Sequence, residues 1–156
     1  MLKVRTFAIQ IMEVSVRIMI MDGQGGGVGR SLVEELHLRN PEDELIAVGT
    51  NAAATSNMMK GGTALGATGE NAVIYNSRRV DAIVGPIGIV VANAMLGEIT
   101  PGMAEAVASS NAKILLIPVS RCHVEVMGVE SKKLGDYIKE AVDKLKTAEC
   151  SITEQE

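Results

Sequence analysis

A chain of 156 residues with 47% hydrophobic content has the length of one domain with a real core, not two. Nineteen acids against fifteen Lys and Arg leave a net charge of -4 without a basic stripe, and one Phe, two Tyr and no Trp offer few rings for stacking, so nucleic acid is a poor partner. No apolar run reaches the ~18 residues of a membrane span, and Cys122 and Cys150 lie far apart without metal-ligand spacing; a reduced, cytoplasmic protein with no membrane partner and no metal is expected.

Residues 1–13 lack the apolar segment and small-residue cleavage site of a secretory signal. Their alternation of Phe7, Ile9 and Ile11 fits an added edge strand, and an N-terminal extension with no role in the fold fits equally well. A single domain is expected over 14–147. Its first strand runs from about Val14 to Met21 and is apolar on both faces apart from Ser15 and Arg17, as a central parallel strand requires. A helix follows from Gly27 to about Leu38 and stops at Asn40-Pro41. The second strand, Glu44 to Val48, leads through Gly49-Thr50-Asn51 into a short alanine and methionine helix capped by Asn51 or Thr50 and ended by Gly61-Gly62.

The stretch Gly66-Ala67-Thr68-Gly69 reads as a loop, and Glu70 to Arg79 as a helix of two or three turns. Val80 to Val84 is the third strand, followed by Gly85-Pro86-Ile87-Gly88, an apolar helix over Ile89 to Leu96, and a second helix with Thr100 as cap and Pro101 in its first turn. Lys113 to Val119 is the fourth strand, and His123 to Met127 alternates like a half-exposed edge strand. The last helix is capped by Ser131 and turns Leu134, Tyr137, Ile138, Ala141, Val142 and Leu145 to one face, before a frayed tail over 148–156. The result is an α/β fold of three layers around a doubly wound, Rossmann-like, mostly parallel sheet, with strands ordered 2-1-3-4 and the edge strand outside.

In such a sheet the ligand lies beyond the carboxyl ends of the strands, where the loops Asp22 to Gly29, Gly49 to Thr55, Gly85 to Gly88 and Ser120 to Cys122 meet, with Gly66 to Asn71 nearby. The first of these, Asp22-Gly-Gln-Gly-Gly-Gly-Val-Gly29, stands between a strand and a helix, the order that aims backbone N–H groups and a helix dipole at an anion. Gly23, Gly27 and Gly29 match the Gly-x-x-x-Gly-x-Gly of short-chain dehydrogenases, a weak signal in a loop with five glycines, while Gly-x-Gly-x-x-Gly fails on Val28 or Arg30. The end of the second strand holds Gly49-Thr50-Asn51 where a dinucleotide site has an acid, which lowers NAD in particular.

Asp22 would repel an adjacent phosphate, so a sugar hydroxyl, a bridged oxygen or the loop's own N–H groups are its candidate partners. Tyr75 with Arg79 lacks the titratable lysine of a Tyr-x-x-x-Lys pair and is not a catalytic couple; Arg78 and Arg79 read as a solvated helix end able to reach an anion. Glu70 and Glu98 follow glycines and fit helix starts better than acid-base work. His123 and Cys122, adjacent on an extended segment, point apart.

Five motifs in order, Asp22 to Gly29, Gly49-Thr-Asn-Ala-Ala-Ala-Thr-Ser56, Gly66-Ala-Thr-Gly-Glu-Asn-Ala72, Asp81-Ala-Ile-Val-Gly-Pro-Ile-Gly88 and Gly97-Glu-Ile-Thr-Pro101 with Ile117-Pro118, resemble the small bacterial family described as domain of unknown function 3842. The resemblance runs from about Val16 to Val129; it implies a Rossmann-like bacterial protein without an assigned reaction, and residues 1–13 depart from its pattern.

The expected function is binding of a nucleotide, a dinucleotide or another phosphorylated small molecule by Asp22, Gly23, Gln24, Gly25, Gly26, Gly27, Val28, Gly29, Thr50, Asn51, Thr55, Glu70, Asn71, Gly85, Pro86 and Gly88, with catalysis left open. The alternative is a non-catalytic homo-oligomeric sensor or assembly subunit with a structural glycine loop, in which the apolar helix Ile89 to Leu96 is covered by another copy.

Overall fold

A computed structural model describes residues 15–119 and 123–151. Strands β1 (Arg17–Asp22), β2 (Glu44–Gly49), β3 (Leu65–Thr68), β4 (Ala82–Pro86) and β5 (Lys113–Ile117) form one parallel sheet in the order β3-β2-β1-β4-β5. Helices α1 (Gly27–Arg39), α2 (Ala52–Met59), α3 (Glu70–Ser77), α4 (Pro101–Ala108) and α5 (Leu134–Ser151) connect or follow them, with a 3-10 turn at Ile87–Val90.

The side-chain alternation of β1 sorts the core into two layers. Ile18 and Ile20 pack with Leu32, Val33 and Leu36 of α1, Met58 of α2 and Ile138, Val142 and Leu145 of α5. On the other face Met19 and Met21 pack with Val73 of α3, Ile89, Ile99, and Met103 and Val107 of α4. With almost no aromatic residues to fill space, both layers rely on branched aliphatics and on methionine, whose flexible thioether fits irregular gaps.

The strand order corrects the expected 2-1-3-4 with an outer strand at 123–127. The extra strand is Leu65–Thr68, which reads as a loop and pairs beside β2 from Ile46↔Leu65 to Gly49↔Thr68. A glycine in so short a run, with Gly69 just after it, hides a strand, yet Gly66 is what admits it, since a Cβ there would lie 2.3 Å from Met59 Sδ and 3.1 Å from Thr55 Cγ2. Thr55 then ties β3 to α2 by sharing a hydrogen bond with the Thr68 hydroxyl at 2.8 Å. Residues 123–133 hold no strand; β5 ends before Pro118, and Gly128 turns the chain at φ 81.

The helix expected over Ile89 to Leu96 is also replaced. After the 3-10 turn the chain makes a compact loop closed by Asn93 N–H donating to Ile99 O at 2.7 Å, with Asn93, Met95, Leu96 and Gly97 in the left-handed region. Ile89 and Ile99 are fully buried in the chain's own core, whereas Leu96 is 99% exposed. A helix over 89–96 would have carried Ile89 and Leu96, two turns apart, on one face; the loop separates them. The final helix starts at Leu134, three residues beyond the expected Ser131 cap. The first-strand start expected at Val14 and the segment 1–13 lie outside the described residues.

Candidate functional site

β1 connects through α1 to β2 on one side, while β4 lies on its other side, so the sheet parts between the carboxyl ends of β1 and β4. A crevice of about 380 Å³ opens there, lined by Asp22 to Val28, Pro86, Gly88, Ala94, Met95, Val119 and Leu134.

The loop that floors it is built by local hydrogen bonds. Gly26, the residue before α1, has φ 69, and a Cβ on it would sit 2.6 Å from the Ala54 carbonyl oxygen, so only glycine fits. The loop carbonyls face α2: Asn51 Nδ2 donates to Gln24 O at 3.0 Å and Asn57 Nδ2 to Gly25 O at 2.9 Å. Asn51 also caps α2, accepting from Ala54 N–H at 2.8 Å.

Most of the loop's amides are already engaged. Gly23 N–H donates to Asp22 Oδ1 at 2.7 Å, Gly29 N–H to Asp22 Oδ2 at 2.8 Å, and Gly26 N–H to Gly23 O at 2.9 Å. Asp22 is thus the internal anion at the α1 N-terminus, and loop N–H groups are its partners among the candidates weighed from sequence. It is 5% exposed, and burial raises its pKa above the ordinary 3.8, against the pull of the Gly29, Gly23 and Val28 amides. Gly25 and Gly27 N–H have no partner among the described residues, both residues are exposed, and the space a Cβ would occupy is open at each.

Sequence reasoning placed Glu98 at a helix start; instead it crosses to the glycine loop. Its Oε2 accepts from Thr50 Oγ1 at 2.6 Å, Gln24 N–H at 2.7 Å and Asn51 Nδ2 at 3.1 Å. A carboxylate from another loop thus stands beside the end of β2, but its Oε2 is filled by the protein's own three donors rather than left to a ribose hydroxyl; only its position behind a glycine in Gly97-Glu98-Ile99-Thr100 hints that it turns away from the adjoining helix. Partial burial raises the Glu98 pKa, but the three donors outweigh it and hold the carboxyl below the ordinary 4.5. Like charges 4 Å apart repel by about 4 kcal/mol near a protein surface, so Glu98 bars a second anion from Gln24 N–H.

A group with a depressed folded pKa contributes stability above its unfolded value and loses it as pH falls through the folded one. The stability deficit of Glu98→Gln against wild type is accordingly expected to be full above pH 4.5 and to shrink below it, in melting curves recorded from pH 7 to pH 3. Asp22, whose shift has the opposite sign, is present in both proteins and largely drops out of the difference. A deficit independent of pH would show that the charge of Glu98 is immaterial.

Of the residues expected to bind, the crevice gathers Asp22, Gly23, Gln24, Gly25, Gly26, Gly27, Val28, Pro86 and Gly88. Thr50 and Asn51 sit on the far side of the loop, engaged with Glu98. Thr55 is buried in the β3 contact, and Gly85 lies inside β4, where a Cβ would meet Met21 O at 2.3 Å. Glu70 leads α3 and accepts from Thr100 Oγ1 at 2.6 Å, with Asn71 exposed beside it, so the pair belongs to the α3–α4 contact. Arg79 stacks on Tyr75, 3.8 Å from the ring centroid, at the amino end of β4 and away from the crevice. Ser120, Arg121 and Cys122 lie outside the described residues. Among the described residues no cluster of three His, Cys, Asp or Glu is placed to hold a metal, and no helix is long and apolar enough to cross a membrane.

The sequence matches the family described as domain of unknown function (DUF3842) over residues 17–149. The chain belongs to this family, and the match spans the whole sheet, the glycine loop and the Glu98 loop. Searches of curated proteins and of solved structures return no match.

Proposed function

We propose that the protein binds a nucleotide or another phosphorylated small molecule in the crevice between β1 and β4, with the phosphate on the Gly25 and Gly27 amides. The observation that carries this reading is that these two N–H groups have no partner among the described residues and stand beside open space at the α1 N-terminus, in a loop whose Gly23, Gln24, Gly26 and Gly29 amides are all engaged. The left-handed Gln24 and Gly26 alternate with their neighbours in the manner of an anion-binding nest. Asp22 serves the loop rather than a substrate, so the proposal is one of binding and assigns no reaction.

Thermal denaturation against nucleotides, dinucleotides, coenzyme A and sugar phosphates tests it. A ligand at 100 times its dissociation constant adds about 2.7 kcal/mol, which for a domain of this size raises Tm by roughly 5–10 °C. No shift across the panel would favour the second reading, a homo-oligomeric sensor or assembly subunit, for which the fully exposed Leu96, next in the chain to the crevice-lining Met95, is the supporting observation.

A further inference from the structure

The glycine loop presents two sides. On one, Gly25 and Gly27, whose amides have no partner among the described residues, line a crevice whose wall beyond the loop is Pro86, Gly88, Ala94, Met95, Val119 and Leu134, almost wholly apolar. On the other, Gln24 N–H, the Thr50 hydroxyl and the Asn51 amide all donate to one oxygen of Glu98. A dinucleotide laid over such a loop needs both sides, because one nucleoside lies beyond the second strand and the other across the first.

The obstruction is built into the backbone. A Cβ on Gly23 would fall 2.6 Å from Met95 Sδ, 2.8 Å from Glu98 Oε2 and 2.8 Å from Thr50 Oγ1, so this glycine makes room for the protein's own loop rather than for a guest. That loop is held with Asn93, Met95 and Leu96 at φ 64, 56 and 57, a conformation side-chain-bearing residues adopt only when their surroundings impose it. Ala94 and Ile99, both buried, anchor its two ends.

We infer that Glu98 sets ligand class: with the β2 side closed by its carboxylate and by Met95, the crevice takes one phosphate carried on a small apolar body and turns dinucleotides away. The inference rests on the binding reading above and narrows it. Phosphate meets the two free amides, and the apolar part lies against Pro86, Met95, Val119 and Leu134.

Calorimetric titration of the full chain with phenyl phosphate and with nicotinamide adenine dinucleotide tests it. Wild type is expected to bind phenyl phosphate at least tenfold more tightly. Glu98→Ala frees three donors and removes the charge, and is expected to close that gap tenfold or more by strengthening the dinucleotide. The wild-type comparison stands whether or not the variant folds. Dinucleotide bound as tightly as phenyl phosphate by wild type, or an unchanged gap in a folded Glu98→Ala, overturns the role of Glu98 and leaves the binding reading in place. Failure of wild type to bind either probe overturns this inference, while the binding reading is then decided by the wider thermal-shift panel.

Discussion

Gly27→Val is expected to fold as wild type does and to lose every ligand-induced Tm shift. No atom outside its own helix and chain neighbours lies within 4 Å of the position its Cβ would take, and its φ is not left-handed, so the native state accommodates the side chain. The branched methyls would then stand in the approach to the Gly27 amide, where a phosphate oxygen must come to hydrogen-bonding distance. Because the α1 N-terminus keeps Asp22 as its internal anion, stability is expected to change by no more than the half kilocalorie or so typical of an exposed substitution. A thermal-shift titration of both proteins checks this; an undiminished shift in the variant would place the ligand elsewhere.

Asp22→Ala is expected to have the larger effect on the fold. The carboxylate is buried and satisfies the Gly23 and Gly29 amides, themselves buried, so truncation leaves two donors without a partner. An unsatisfied buried donor costs about 1–3 kcal/mol, partly offset here because a charge costly to bury is also removed; a net loss of about 2–3 kcal/mol is expected, or roughly 5–10 °C in Tm. Urea denaturation measures it directly. A loss below about 0.5 kcal/mol would mean that the α1 N-terminus does not depend on Asp22.

What was legible in the sequence follows the physical strength of each signal. The apolar runs of β1, β2 and β4 and the caps at Asn51 and Thr100 are local and strong, and these elements lie close to where periodicity and capping place them. β3 was not legible because Gly66, in a strand of only four residues, lowers strand propensity, and its existence depends on Met59 and Thr55 packing from another element. The loop over 91–99 misleads for the opposite reason: its composition is that of a buried helix, but satisfying Ile89 and Ile99 in one core while placing Glu98 on the glycine loop requires a reversal that no helical period encodes. The floor of the site was legible, since strand, glycines and helix are consecutive. Its boundary was not, because Glu98 reaches Gln24 across 74 residues of chain.

The asparagine tethers bear on how the molecule would answer a guest. Asn51 and Asn57 grip consecutive loop carbonyls, and Thr55 between them grips the outermost strand, so hydrogen bonds from one short helix join the glycine loop to the sheet's far border. Through that helix, occupancy of the crevice is expected to register as stiffening at the distant margin.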